Sequence, residues 1–202
     1  MSTKPSLGGE YFDALYARDP DPWRFATSDY ERTKYAHTVA ALPRSRYESG
    51  LEVGCSIGVL THAIAARCER LLAVDVAEAA LAQARRRNAG LSHVAFQRLR
   101  LPDEAPPGTY DLVVLSEVLY YFDAADLARM ADRVRALARP GADLLLVHWL
   151  PETDYPLTGD EAAEGFIRHL GADAAVLGQE RREREREVEL EVRQGTAGRG
   201  RG

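Results

Sequence analysis

Glu52, Gly54, Gly58 and Asp75 are the residues of this chain whose types and spacing first suggest chemistry. In "LEVGCSIGVLT" (51–61) an acid precedes two glycines, and a helical pattern follows. Glycine permits the left-handed dihedrals of a tight turn and lets backbone approach a ligand closely. A helix start presents free amide groups and a positive dipole end to the same spot. Asp75 closes the next apolar run, "RLLAVDV", where a carboxylate can accept both hydroxyls of a ribose. The alternative for Asp75 is to cap the helix that begins near Glu78.

Three nucleotide-like ligands use such turns. A triphosphate loop needs Lys and then Ser or Thr after the second glycine, and "GVLT" lacks them. A dinucleotide fingerprint wants GxGxxG, but Ser56 stands at its second glycine and Leu60 near its third. The third ligand, S-adenosylmethionine, tolerates a looser glycine pattern with an acid just before it. Asp75 alone does not separate NAD from this methyl donor. Glu52 and the missing fingerprint favour the donor.

These residues need a scaffold that brings strand ends together. Apolar runs at 50–54, 70–76, 93–99, 110–116 and 143–150 read as strands, several of them continuous enough for a parallel sheet covered on both faces. Helical segments 59–67, 77–88 and 124–138 lie between them, the last with Asp123 as N-cap. Residues 161–170 read as a helix, and Val188, Leu190 and Val192 alternate as in a strand. The expected fold is a Rossmann-like doubly wound α/β sandwich: a mostly parallel seven-stranded sheet with a C-terminal antiparallel strand pair and N-terminal capping helices. Residues 1–9 are expected to be a flexible start, 10–194 one domain (10–45 a helical cap, 46–194 the sheet core), and 195–202 a flexible tail.

A second set of residues falls where an acceptor would meet the donor. Glu117 follows the fourth strand directly, where it can hold a cationic acceptor or take its proton, or only bond loop amides. Of the adjacent Tyr120 and Tyr121, one is expected to line the acceptor pocket while the other packs. His148, at the end of the fifth strand, is either a base near neutral pH or a structural hydrogen-bonder. In the cap, Trp23, Tyr30 and Tyr35 can stack on a base or a sugar face, and Arg32 or Lys34 can meet a carboxylate. The catalytic candidates are thus Glu117, Tyr121 and His148. The cofactor candidates are Glu52, Gly54, Cys55, Ser56, Gly58, Asp75, Val76 and Ser116, with Trp23, Tyr30 and Tyr35 from the cap.

Bulk properties narrow the partners. A net charge of −5 argues against duplex nucleic acid, whose phosphates want a basic face. No apolar run is long enough to span a membrane, and the polar N-terminus lacks the core of a signal peptide. Two cysteines, Cys55 and Cys68, are too few for a disulfide framework or a zinc site, and the histidines lack metal-ligand spacing. A cytoplasmic protein acting on a small molecule is expected. No signal speaks to its oligomeric state.

"LEVGCSIGVLT", "LLAVDV" and "YDLVVLSEVLYYF" together resemble the first, second and fourth strand motifs of class I S-adenosylmethionine-dependent methyltransferases. More narrowly, "YFDALYARDPDPWRF", "YERTKYAHTVAALP", "LSEVLYYF" and "DYPLTGD" are similar to the nodulation-protein-S (NodS) branch, over roughly residues 10 to 160. That resemblance implies methyl transfer to an amine of an amino-sugar-like acceptor. An O- or C-methyltransferase, a donor-binding module without turnover and an NAD-dependent oxidoreductase are its rivals. One departure concerns adenine. Where the superfamily often places an Asp after the third strand, this chain offers Gln97, Arg98 and Arg100, with Asp103 only later. Arginine cannot accept the adenine amine, which leaves Gln97 or backbone groups.

Overall fold

The computed structural model describes residues 4–193. The expected tail, 195–202, and the first three residues of the expected flexible start lie outside the described residues. Seven strands form one sheet: β1 (Gly50–Val53), β2 (Leu71–Asp75), β3 (Val94–Arg98), β4 (Tyr110–Ser116), β5 (Ala138–Trp149), β6 (Ala174–Arg181) and β7 (Glu185–Val192). Their order is β3-β2-β1-β4-β5-β7-β6. The first five strands run parallel, and β7 pairs antiparallel with both β5 and β6. This is the doubly wound sandwich predicted from the sequence, with its C-terminal antiparallel pair.

The apolar runs of β4 and β5 have a direct structural reason. Successive side chains on a strand point to opposite faces. Val113, Leu115, Leu144 and Leu146 enter one core with helices α5 (Ala124–Leu137) and α6 (Gly159–Leu170). Leu112, Val114, Leu145 and Val147 enter another with α2 (Asp29–Ala40) and α3 (Val59–Ala65). Both faces are dry, so no polar alternation is visible.

Local signals set the helix ends. Ser28 caps α2 by accepting the Glu31 N–H, and Asp123 caps α5 through Ala125 and Asp126. Thr158 and Glu161 cap α6 reciprocally. Helix α4 (Glu78–Arg87) stops at Asn88, as the "NAG" stretch predicts.

Two elements differ from expectation. β5 begins at Ala138, and its register against β4 shifts between Tyr110 and Leu112 before the apolar run pairs. β6 is an outer strand with an irregularity between Val176 and Gly178 and with Val176 and Leu177 exposed. Ahead of α1 (Gly9–Arg18), Ser6 and Leu7 are fastened by hydrogen bonds rather than free. Leu7 N–H donates to the Tyr121 carbonyl at 2.9 Å, and Ser6 Oγ bridges Asp126 and the Asp123 N–H.

Candidate active site

A cavity opens at the C-terminal ends of β1, β2 and β4, roofed by α1 and the segment before α2. β1 ends at Val53, and the chain then turns through three left-handed residues: Gly54 (φ 76°), Ser56 (φ 51°) and Gly58 (φ 74°). Ser56 thus occupies a conformation that ordinarily favours glycine. It is held there by its N–H, which donates to Asp75 Oδ2 at 2.8 Å, and by a hydrogen bond between its hydroxyl and that of Tyr16. Asp75 Oδ1 accepts the Ala77 N–H at 2.9 Å, so the aspartate also fastens the approach to α4. Burial raises the Asp75 carboxyl, and the amides of Ala77 and Ser56 oppose that rise. Each oxygen retains a lone pair, and the residue lines the cavity.

Glu52 lies beneath the turn. It is 1% exposed, and its Oε2 has no hydrogen-bond partner. Burial pushes its carboxyl up to about 8, with the nearby Asp75 charge adding to the rise. A carboxyl with one unpartnered oxygen on the wall of a cavity is poised for a polar or cationic group placed there.

At the other end Glu117 has φ 58°, a conformation costly for a non-glycine residue. Its N–H donates to Val147 O. Its carboxylate accepts from Lys34 Nζ (2.8 Å) on Oε1, and from Tyr120 Oη (2.6 Å) and the Trp149 N–H (2.9 Å) on Oε2. Lys34 is 2% exposed and bridges on to Glu31 at 2.8 Å. Burial would raise Glu117, but the Lys34 ammonium, with the Tyr120 hydroxyl adding, holds the carboxyl below its ordinary value. A carboxylate so satisfied is an anchor and a poor base.

The cavity gathers most of the candidates. Glu52, Gly54, Cys55, Ser56, Asp75 and Val76 line it from the β1–β2 side. Ser116, Glu117 and Tyr121 line it from β4 and the 3₁₀ turn Leu119–Tyr121, and Trp23 and Tyr35 from the cap. Of the adjacent tyrosines, Tyr121 faces the cavity and Tyr120 holds Glu117.

Three candidates lie elsewhere. Gly58 packs on α4: a Cβ there would meet Ala84 Cβ at 2.8 Å and Asn88 Nδ2 at 2.7 Å. It is absent from the cavity lining, and its left-handed φ of 74° and its close packing on α4 both call for glycine. Tyr30 is absent from the cavity lining and reaches toward β7, where its hydroxyl donates to Glu185 Oε2 at 2.9 Å and its ring meets Trp149 edge-on. His148 is fully buried and outside the lining, with the Leu119 N–H 3.4 Å from its Nε2. Burial depresses it to about 4, so it stays neutral and is no base for this cavity. Arg32 pairs with Asp29 on the surface, and Lys34 is engaged by two glutamates, so neither is set for a ligand carboxylate. Gln97 is exposed and does not line the cavity. Leu99 and Leu101 supply an apolar wall at the end of β3 instead, with Asp103 lining the rim in an ion pair with Arg129.

Sequence reasoning missed Tyr16, Phe12 and Phe25, which complete the aromatic wall. Phe25 stacks on Trp23 with ring centroids 5.4 Å apart, and Tyr16 meets Trp23 edge-on. The helical spacing of Phe12 and Tyr16 was the available signal. Among the described residues no group of His, Cys, Asp and Glu is arranged to hold a metal ion, and no helix is long and apolar enough to cross a membrane.

Comparison with known proteins adds kinship. The sequence pattern of the family described as Nodulation protein S (NodS) matches residues 13–146. Nodulation protein S of Bradyrhizobium diazoefficiens is 36% identical over 118 residues, covering 58% of this chain and 56% of that protein. The Rhizobium tropici protein of the same name is 31% identical over 127 residues, covering 62% and 53%. The matched stretch thus spans about half the length of these curated relatives. Among solved structures, a candidate methyltransferase from Pseudomonas syringae superposes with a TM-score of 0.72 at 34% identity, covering 80% of this chain and 98% of its own. The N-methyltransferase NodS from Bradyrhizobium japonicum WM9, solved with S-adenosyl-L-homocysteine, has a TM-score of 0.79 at 23% identity, covering 91% and 97%. The latter likeness establishes a shared fold.

Proposed function

The chain belongs to the nodulation protein S family, and from that premise we propose that it is an S-adenosylmethionine-dependent methyltransferase. Its acceptor is a small polar molecule, an amine of an amino-sugar-like metabolite. The observation that carries the reading is the pair of acids at the Gly54 turn. Asp75 offers free lone pairs for ribose hydroxyls, and Glu52 offers an orphaned oxygen suited to a donor that is cationic. The residues present fit that donor.

When bound, S-adenosylmethionine supplies a methyl on a cationic sulfonium, which an amine lone pair displaces to leave a neutral thioether. The protein's part is positioning. Asp75 and the Gly54 turn fix the nucleoside end, and Trp23, Phe25 and Leu99 exclude water from it. Tyr121, Ser116 and Glu117 form the acceptor end. Glu117 keeps the acceptor's ammonium in place, and the proton leaves to water before attack. With Cys55 and Cys68 buried and unpaired, we assign the protein to a reducing cytoplasm, and its net charge of −5 to partners other than nucleic acid.

Calorimetry with S-adenosylhomocysteine and with NAD, side by side, tests the donor. Saturable binding of the first alone is expected, and no binding at millimolar ligand would sink the reading. Mass spectrometry of amino-sugar and hydroxylated acceptors after incubation with donor then tests transfer. Methylated hydroxyls in place of amines would move the protein to O-methylation, and binding without transfer to a donor-binding module.

A further inference from the structure

Resting on the proposed methyl transfer to an amine, the structure assigns Lys34 as a positioning residue that holds Glu117, as an anion, at the acceptor end of the cavity. The argument starts with the backbone. Glu117 sits in a left-handed conformation at φ 58°, a strained state that persists only where its surroundings fix it. Three donors fix its side chain, and only Lys34 among them carries charge.

Lys34 is itself buried and cannot serve as a solubilising surface charge. Its ammonium lies 2.8 Å from both Glu117 Oε1 and Glu31 Oε2, and 5.6 Å from the ring centroids of Tyr30 and Tyr35. Two carboxylates around one ammonium leave the cluster one negative charge in excess. Of the two acids, Glu117 lines the cavity and Glu31 does not. Three of the roughly four lone-pair positions of the Glu117 carboxylate are occupied, which leaves one for a ligand. That geometry suits an acceptor bearing a positive charge: a primary or secondary amine in its ammonium form, delivered to the site before it sheds a proton.

The groups facing Glu117 come from three elements. Helix α2 presents Glu31, Lys34, Tyr30 and Tyr35, the 3₁₀ turn presents Tyr120 and Tyr121, and β5 presents the neutral His148. Burial acts against the charged form of Glu117, Lys34 leads the groups that oppose it with the Tyr120 hydroxyl adding, and the Glu117 charge in turn raises Glu31.

The test pairs an activity-free readout with kinetics. Glutamate carboxyl ¹³C titrations of the full chain follow Glu117, assigned with Glu117→Gln. In the wild type its midpoint lies below the ordinary glutamate value. In Lys34→Met it should move above that value. With an amine acceptor, the acidic limb of kcat/KM should shift the same way, and KM should rise about 10- to 100-fold, the loss of a charge-assisted contact. Affinity for S-adenosylhomocysteine should stay within about twofold of wild type, and Lys34→Arg, which keeps the charge, should keep the Glu117 midpoint below the ordinary value. An unmoved Glu117 midpoint in a folded Lys34→Met protein overturns the assignment. So does a change in KM that is equal for neutral and cationic acceptors. Should Lys34→Met fail to fold, Glu31→Gln gives the whole ammonium to Glu117 and must lower its midpoint further; no movement overturns the assignment. Because the titration needs no turnover, absence of methyl transfer would refute the proposed function while leaving the role of Lys34 readable.

Discussion

Asp75 Oδ2 accepts the backbone N–H of Ser56 at 2.8 Å, across the mouth of the cavity. The carboxylate proposed to meet the donor is therefore also the clamp on the turn that lines the cavity. On the proposed function, binding and local stability are coupled at this one side chain.

Asp75→Ala should accordingly do two things. It removes the acceptor for ribose hydroxyls, weakening S-adenosylhomocysteine by about 1–3 kcal/mol, and it strands the Ser56 and Ala77 amides, lowering the melting temperature. Calorimetry and thermal melts separate the two. Lost stability with unchanged affinity would reduce Asp75 to a structural clamp.

Gly58→Ala and Gly54→Val should fail differently. At Gly58 the added methyl meets α4 while the backbone must keep φ 74°, so stability should fall by more than about 1 kcal/mol. The folded fraction should retain its donor affinity. At Gly54 a side chain meets Val118 at 3.2 Å on the cavity wall, so Gly54→Val should lose donor binding itself. Equal donor affinities in the two folded variants would place the site away from this turn.

Glu52 predicts a pH dependence. Its folded carboxyl is raised to about 8 from an ordinary 4.5, so the protein prefers the protonated form. The stabilisation is complete below about 4.5 and is lost as pH rises through 8. Glu52→Gln should abolish that decline and be the more stable protein at pH 9, by an amount on the order of a few kcal/mol. Wild-type affinity for a cationic donor should rise with pH over the same window. Urea melts at pH 6 and pH 9 check the first claim, and calorimetry across pH the second.

His148 acts in the opposite sense. Burial lowers it to about 4 from 6.5, so its contribution to stability is present above 6.5 and lost as pH falls toward 4. Its imidazole resonances should show the neutral form at pH 6, and the pH–rate profile should carry no limb from it near neutrality. A midpoint near 6.5 would return it to the list of bases.

What the sequence revealed and what it hid follow from the range of each interaction. Gly54 and Asp75 were legible because a turn and a strand end are local, and their chemistry shows in residue type. β4 and β5 were legible because two dry faces leave an unbroken apolar run. The direction of a side chain on a helix or strand was not: Tyr30 and Tyr35 share α2, yet one reaches Glu185 and the other the cavity. The clasp of Tyr16 on Ser56 joins residues forty positions apart and leaves no trace in spacing. Gly58 looked like a ligand glycine because its true neighbour, Ala84, belongs to another helix.

The irregular outer strand β6 has a meaning for the protein among its own copies. Leu177 is the extra residue, since Val176 pairs with Leu190 and Gly178 with Glu189. A bulge of this kind bends and twists a strand, so its unpaired backbone groups no longer form a straight ladder that a neighbouring molecule could extend. With Val176 and Leu177 both about half exposed, a straight β6 would be a sticky margin. The one-residue misfit acts as a guard on colloidal behaviour. Its worth is measured by deleting Leu177, which should leave the donor cavity intact and bring turbidity on at lower protein concentration.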